Sequence, residues 1–157
     1  MRNLLLMTAV LGLSACNPVE VMGDSDTAIE QFHDHWNAGN LDAMWHATHP
    51  EFRTGLTQQQ FDKVMGDFGG VLGEVESTER ESFNINTQNG VTTTTIMMRT
   101  QFANGEGVEQ FFLRGHGEEQ KIFYYYVESD LLNGYTAPEG ADEYRPDDER
   151  PAVEPVE

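Results

Sequence analysis

Proton transfer on a small molecule needs a base and a hydrogen-bond donor that converge in an apolar pocket, with the base tuned by burial. The sequence offers donors in Tyr124, Tyr126 and His46, and bases in Asp34 and Asp42. Tyr124 and Tyr126 are two residues apart in an apolar run, so a strand puts them on one face and Tyr125 on the other. Amphipathic packing, with the hydroxyls at a rim, requires the same alternation. Both aspartates fall on expected helix surfaces. Packing is therefore the favoured reading of this set, and no catalytic residue is assigned.

Metal chemistry fares no better. His33 and His35 are two apart and point about 200° apart on a helix. His46 and His49 are three apart and share a face, but a catalytic zinc takes three protein ligands and no third is visible. The histidines are read as surface residues, and neither a metal nor a cofactor is expected. Gly66-Asp67-Phe68-Gly69-Gly70 and Gly105-Glu106-Gly107 do not lie between a strand and a helix as a phosphate cradle would. A Gly-x-Ser-x-Gly elbow, a P-loop and a Cys-x-x-Cys pair are all missing. The only cysteine is Cys16, so an intramolecular disulfide is excluded.

The elements that would position these groups follow from periodicity. Thr27 and Glu30 fit a capping box, and Ile29, Phe32 and Trp36 make one apolar helix face. Gly39 stops that helix, and Asn40 caps a second one carrying Leu41, Met44 and Trp45, which Pro50 ends. Residues 52–56 read as a short extended segment. Thr57 with Gln60 repeats the capping pattern before Phe61, Val64, Met65 and Phe68, and Gly69-Gly70 closes the third helix. The period then falls to two. Strands are expected at 81–87, 91–102, 108–114 and 120–128, joined by turns at Asn89-Gly90, Asn104-Gly105 and Gly115-His116-Gly117. This order predicts an α+β fold, with about three N-terminal helices packed on one side of an antiparallel sheet of about four strands. The last two strands are apolar on both faces. Their outer face needs a cover, for which a second copy or the C-terminal tail is the expected source.

The ends of the chain tell where it works. Met1-Arg2-Asn3 is a basic start, residues 4–13 are an apolar run, and Leu13-Ser14-Ala15 supplies small residues. This pattern predicts a secretory signal peptide at 1–15, too short to span a bilayer. Leu13-Ser14-Ala15-Cys16 resembles the lipobox of bacterial lipoproteins. The resemblance implies removal of residues 1–15 and acylation of Cys16, for example with palmitate, which anchors the protein by several chains. In enterobacterial lipoproteins an aspartate after the cysteine favours the inner membrane; here Asn17 follows, which favours the outer membrane and its periplasmic face. Residues 16–25 read as a tether and 26–136 as the domain. Residues 137–157 carry Pro138, Pro146, Pro151 and Pro155 with acids in large excess over Arg145 and Arg150, and are expected to be disordered. The formal charge of −18 repels nucleic acid, which is excluded as a partner.

Phe32, Trp36-Asn37-Ala38-Gly39-Asn40-Leu41-Asp42 and Trp45, with Phe102-Ala103-Asn104-Gly105 and Glu109-Gln110-Phe111, are similar to the nuclear-transport-factor-two-like fold, also called SnoaL-like or cystatin-like. The likeness runs over about residues 27–131. It is to the small secreted and lipoprotein domains of unknown function in that superfamily. It implies a cone in which a curled sheet wraps a long helix and leaves a pocket at its open end. Trp36, Trp45, Phe112, Tyr124 and Tyr126 are the candidate pocket lining. Some members isomerise or dehydrate small molecules there, some bind ligands, and many only dimerise, a choice the fold does not make. The expected role is a non-catalytic binding module for a protein or a small apolar ligand, with a homodimer through the sheet face. The competing expectation is a small-molecule isomerase or lyase.

Overall fold

Twenty residues wind into the first helix, α1 (Pro18–Asn37), in a computed structural model that describes residues 18–115 and 117–136. The lipobox and the acidic tail lie outside the described residues. The helix begins inside the stretch expected as tether, because two of its early residues have inward partners. Val21 is buried, and the buried Ser25 hydroxyl bonds to the Val21 carbonyl (2.8 Å) and to Oε1 of Gln120 (3.0 Å). Thr27 is consequently mid-helix rather than a cap, and its hydroxyl donates to the Gly23 carbonyl (3.0 Å).

Asn40 caps α2 (Leu41–Ala47) by accepting from the Ala43 N–H (3.1 Å), after Gly39 turns the chain with φ of 62°. Residues 52–55, expected as extended, form the single turn α3 (Phe52–Gly55). It buries Phe52 against Trp45 and Phe61, with ring centroids 6.3 and 5.8 Å away. The helices are thus four rather than three. The Thr57–Gln60 capping box opens α4 (Gln58–Leu72), which runs through Gly69-Gly70 and stops at Gly73.

The glycines of α4 give two opposed predictions. A Cβ at Gly69 or Gly70 would meet nothing within 4 Å. Gly69→Ala and Gly70→Ala should each raise the urea midpoint, by about 1 kcal/mol of helix propensity. Gly73 has φ of 82°, and a Cβ there would lie 2.9 Å from that of Ala103. Gly73→Ala should lower the midpoint by about 1–3 kcal/mol.

Four strands follow in the order β1-β2-β3-β4, forming a curved antiparallel meander: β1 (Val75–Gln88), β2 (Val91–Phe102), β3 (Gly105–Arg114) and β4 (Lys121–Glu128). β1 starts well before the expected residue 81, since Val75 already pairs with Phe102. Asn89 and Gly90 both have positive φ (52° and 80°), the geometry of a two-residue hairpin. Alternation turns Ile96, Met98, Thr100 and Phe102 of β2 towards the helices, together with Glu109, Phe111 and Leu113 of β3. The core forms there. Phe32 meets Phe111 (5.5 Å) and Tyr125 (4.9 Å), and Trp36 meets Phe102 (5.9 Å) while its indole N–H donates to the Gly73 carbonyl (2.9 Å).

Candidate functional site

The inward alternation of β3 carries one residue that does not belong in an apolar core. Glu109 lies between Gly107 and Phe111 on the helix-facing side and is fully buried. A bare carboxylate there would cost several kcal/mol. Three donors from three elements compensate it. Nε2 of His33, on α1, lies 3.2 Å from Oε1 and 3.0 Å from Oε2. The Tyr125 hydroxyl on β4 donates to Oε1 (2.7 Å), and the Thr100 hydroxyl on β2 donates to Oε2. The single Nε2–H of His33 is shared between the two oxygens, and each oxygen takes one hydroxyl besides, so both are engaged within the fold. A carboxylate accepts only, so Nε2 is the protonated nitrogen of His33 in this arrangement.

Aromatic rings flank the cluster. The His33 side chain is 10% exposed and packs between Phe32 (6.0 Å) and Phe111 (5.6 Å). Burial, then the charge of Glu109, then the hydrogen bond to it push the Tyr125 phenol well above the ordinary tyrosine range. The phenol therefore stays neutral in the folded state while it ionises near pH 10 in the unfolded chain. Its contribution to stability is complete below about pH 10 and is lost as pH rises beyond that towards the folded-state value. In an ultraviolet titration, one of the five tyrosines should ionise only as the protein unfolds, and Tyr125→Phe should remove that one.

His33 also connects this cluster to the surface. It lines a cleft of about 470 Å³ between α1 and β1, with Asp34, Asn37, Arg80 and Met98 among the other walls. A smaller cleft of about 300 Å³ lies between the end of α1, α2 and α4, lined by Trp36, Leu41, Met44 and Met65.

No family model matches this chain, and no curated protein matches it. Similar solved structures include Bd1075 of Bdellovibrio bacteriovorus, at 12% identity and a TM-score of 0.46. That match covers 68% of this chain and 40% of the other, so this chain spans well under half of that protein. A putative scytalone dehydratase from Novosphingobium aromaticivorans is similar at 11% identity and a TM-score of 0.43, over 68% of this chain and 82% of the other. Rv3472 of Mycobacterium tuberculosis, a protein of unknown function, is similar at 12% identity and a TM-score of 0.42, over 74% and 78%.

The residues singled out from the sequence are not gathered in one place. Trp36 and Trp45 are in the helix-side core, Trp45 against Phe52 and Phe61. Phe112 pairs with Tyr124, and Gln110 with Tyr126, on the opposite face of the sheet from the Phe111–Tyr125 pair. The tyrosine that reaches the interior is Tyr125, the one left out of the donor set. Asp34 is exposed and borders the α1–β1 cleft, whereas Asp42 is exposed beside Gln58 (3.0 Å) and His46 (3.7 Å).

Among the histidines, the surface reading fails at His33, which the strand-borne Glu109 draws inward. His46 and His49 do not share a helix face, because α2 ends at Ala47 and Thr48 is extended. The His49 ring accepts the Glu51 N–H (3.3 Å). Burial first, then Arg114, Lys121 and Arg53, hold its imidazole below the ordinary range. Among the described residues no three His, Cys, Asp or Glu side chains assemble as a ligand set. Glu109 had one signal in the sequence, an acid at the same parity as Phe111 and Leu113. His33 had one as well, standing four residues after Ile29 and three before Trp36 on the apolar face of the helix.

Proposed function

We propose that this chain is a lipid-anchored protein of the bacterial envelope, whose nuclear-transport-factor-two-like domain binds a partner rather than catalysing a reaction. The observation that supports non-catalytic binding is that both carboxylate oxygens of the buried Glu109 are engaged inside the fold. A general base must come within hydrogen-bond reach of the proton it removes, and Glu109 is fully buried. Both oxygens of Glu109 are engaged by His33, Thr100 and Tyr125, which ties α1 to β2, β3 and β4. The anchor rests on the basic-apolar-small pattern ending at Cys16, with Asn17 favouring the periplasmic face of the outer membrane. The acidic chain gains nothing from anionic lipid, so the acyl chains would supply the membrane contact.

Labelled-palmitate incorporation with membrane fractionation tests the address. Label should enter the native chain, which sediments with membranes, and be lost from Cys16→Ser. Equal label in both would overturn it.

One observation favours the isomerase or lyase reading: His33, oriented by a carboxylate, borders a cleft. Diethyl pyrocarbonate separates the two readings. A histidine serving as a base at the cleft reacts in the native protein, whereas one serving the core reacts only on unfolding. Resistance of His33 in the folded chain is the expected result.

A further inference from the structure

We propose that the groove between α1 and β1 receives an extended, positively charged peptide segment of a partner protein, laid along the edge of β1. This deepens the reading of the domain as a binding module and rests on it, though not on the lipid anchor.

The two walls match in length and differ in kind. One wall is the face of α1 that carries Asp26, Glu30, Asp34 and Asn37. From residue 26 to residue 37 it runs roughly 16 Å at 1.5 Å per residue. The other is the first part of β1, residues 75–80, which runs at most roughly 17 Å at about 3.3 Å per residue, with a shift of register at Glu76. The groove therefore accepts about five residues of extended chain.

β1 offers that chain a main-chain partner. Among the described residues it is an edge strand, paired only with β2. Its edge faces α1, as Asn37 demonstrates. The Val75 N–H donates to Oδ1 of Asn37 (2.7 Å), and Nδ2 of Asn37 donates to the Val75 carbonyl (2.9 Å). One carboxamide thus makes the reciprocal pair of bonds that the peptide groups of a neighbouring strand would make. Past Val75 the wall continues through Ser77 and Thr78, exposed residues with short side chains that leave the strand approachable. Ile29 and Met98 supply a floor for alternate side chains of the incoming strand, the recognition mode of strand addition.

Charge selects the occupant. Asp26, Glu30 and Asp34 recur at every fourth position of α1, and Glu76 faces them from β1. Arg80 is the only cation among the lining residues and is ion-paired with Asp26. Lysine or arginine side chains on a bound strand would meet Glu30, Asp34 and Glu76. A second copy of β1 would instead bring Glu76, Glu79 and Glu81 against like charges, which disfavours self-pairing. Residues 137–157 are repelled for the same reason, being rich in acids.

The test is fluorescence anisotropy on the full chain in detergent micelles with three labelled hexapeptides: alternating Lys-Val, alternating Glu-Val, and the Lys-Val peptide N-methylated at alternate amides. The Lys-Val peptide should bind and the Glu-Val peptide should not. N-methylation should weaken binding at least about tenfold by removing main-chain donors while keeping the charge. Glu30→Lys with Asp34→Lys, both at exposed positions, should weaken it at least about tenfold without moving the melting temperature. Absence of Lys-Val binding overturns the proposal, and so does equal binding of the N-methylated peptide or indifference to the double variant. Self-association of the chain that the double variant abolishes would give the groove to a second copy and overturn it as well. Each of these results strikes the groove alone; the binding-module reading falls separately, on native-state carbethoxylation of His33.

Discussion

Glu109→Ala should cost about 3–5 kcal/mol, the loss expected when one member of a buried, charge-assisted cluster is removed. The substitution strands three donors. The Tyr125 hydroxyl, the Thr100 hydroxyl and the His33 N–H would each face an apolar space with no acceptor. Each orphan costs about 1–3 kcal/mol, less whatever water or local movement restores. The loss is a large share of the roughly 5–15 kcal/mol that holds an ordinary domain together. Urea unfolding followed by the fluorescence of Trp36 and Trp45 measures it, as a lower midpoint at unchanged slope. Glu109→Gln keeps the volume and one acceptor oxygen, but its amide hydrogens oppose donors, so its loss should be smaller and still distinct. A residue strained for catalysis behaves differently, since removing it commonly raises stability.

The second large effect is expected at Phe32, the residue before His33 on α1. Its ring is 2% exposed and touches Phe111, Tyr125 and His33. Phe32→Ala should cost about 3–5 kcal/mol, since the lost transfer energy is joined by a cavity that a helix packed on a sheet closes only in part. That ring also shields the imidazole. The variant should therefore let diethyl pyrocarbonate reach His33 in the folded protein, while Phe32→Leu, which refills most of the space, should lose less stability and keep His33 resistant. The paired readout separates a local opening from general loosening, which would speed modification of the other histidines as well.

Local patterns carried the helices and hairpins whose signals lie within a few residues. Ile29, Phe32 and Trp36 declared a buried helix face, Thr57 with Gln60 declared a helix start, and Asn89-Gly90 declared a turn. The start of α1 was hidden because Ser25 is held from far along the chain, by Gln120. The turn at residues 52–55 was hidden because Phe52 is fixed by Trp45 and Phe61 rather than by helical propensity.

The site was less legible still. Its four members come from α1, β2, β3 and β4, and only strand register brings them together. Parity already separated Tyr125 from Tyr124 and Tyr126, but a strand apolar on both faces does not say which face is inward. The pairing of Phe111 with Tyr125 decides it, despite the bulge that leaves Phe123 without a partner across from it between Phe112 and Leu113.

A double-mutant cycle between Glu109→Ala and Tyr125→Phe probes the structural role of the carboxylate most directly, because it isolates the bond between the two side chains from the cavity each change leaves. A coupling of about 1.5–3 kcal/mol, the range of a buried hydrogen bond to a charged group, is predicted. Additive losses, or a gain of stability on replacing Glu109, would contradict it and return the carboxylate to the catalytic reading.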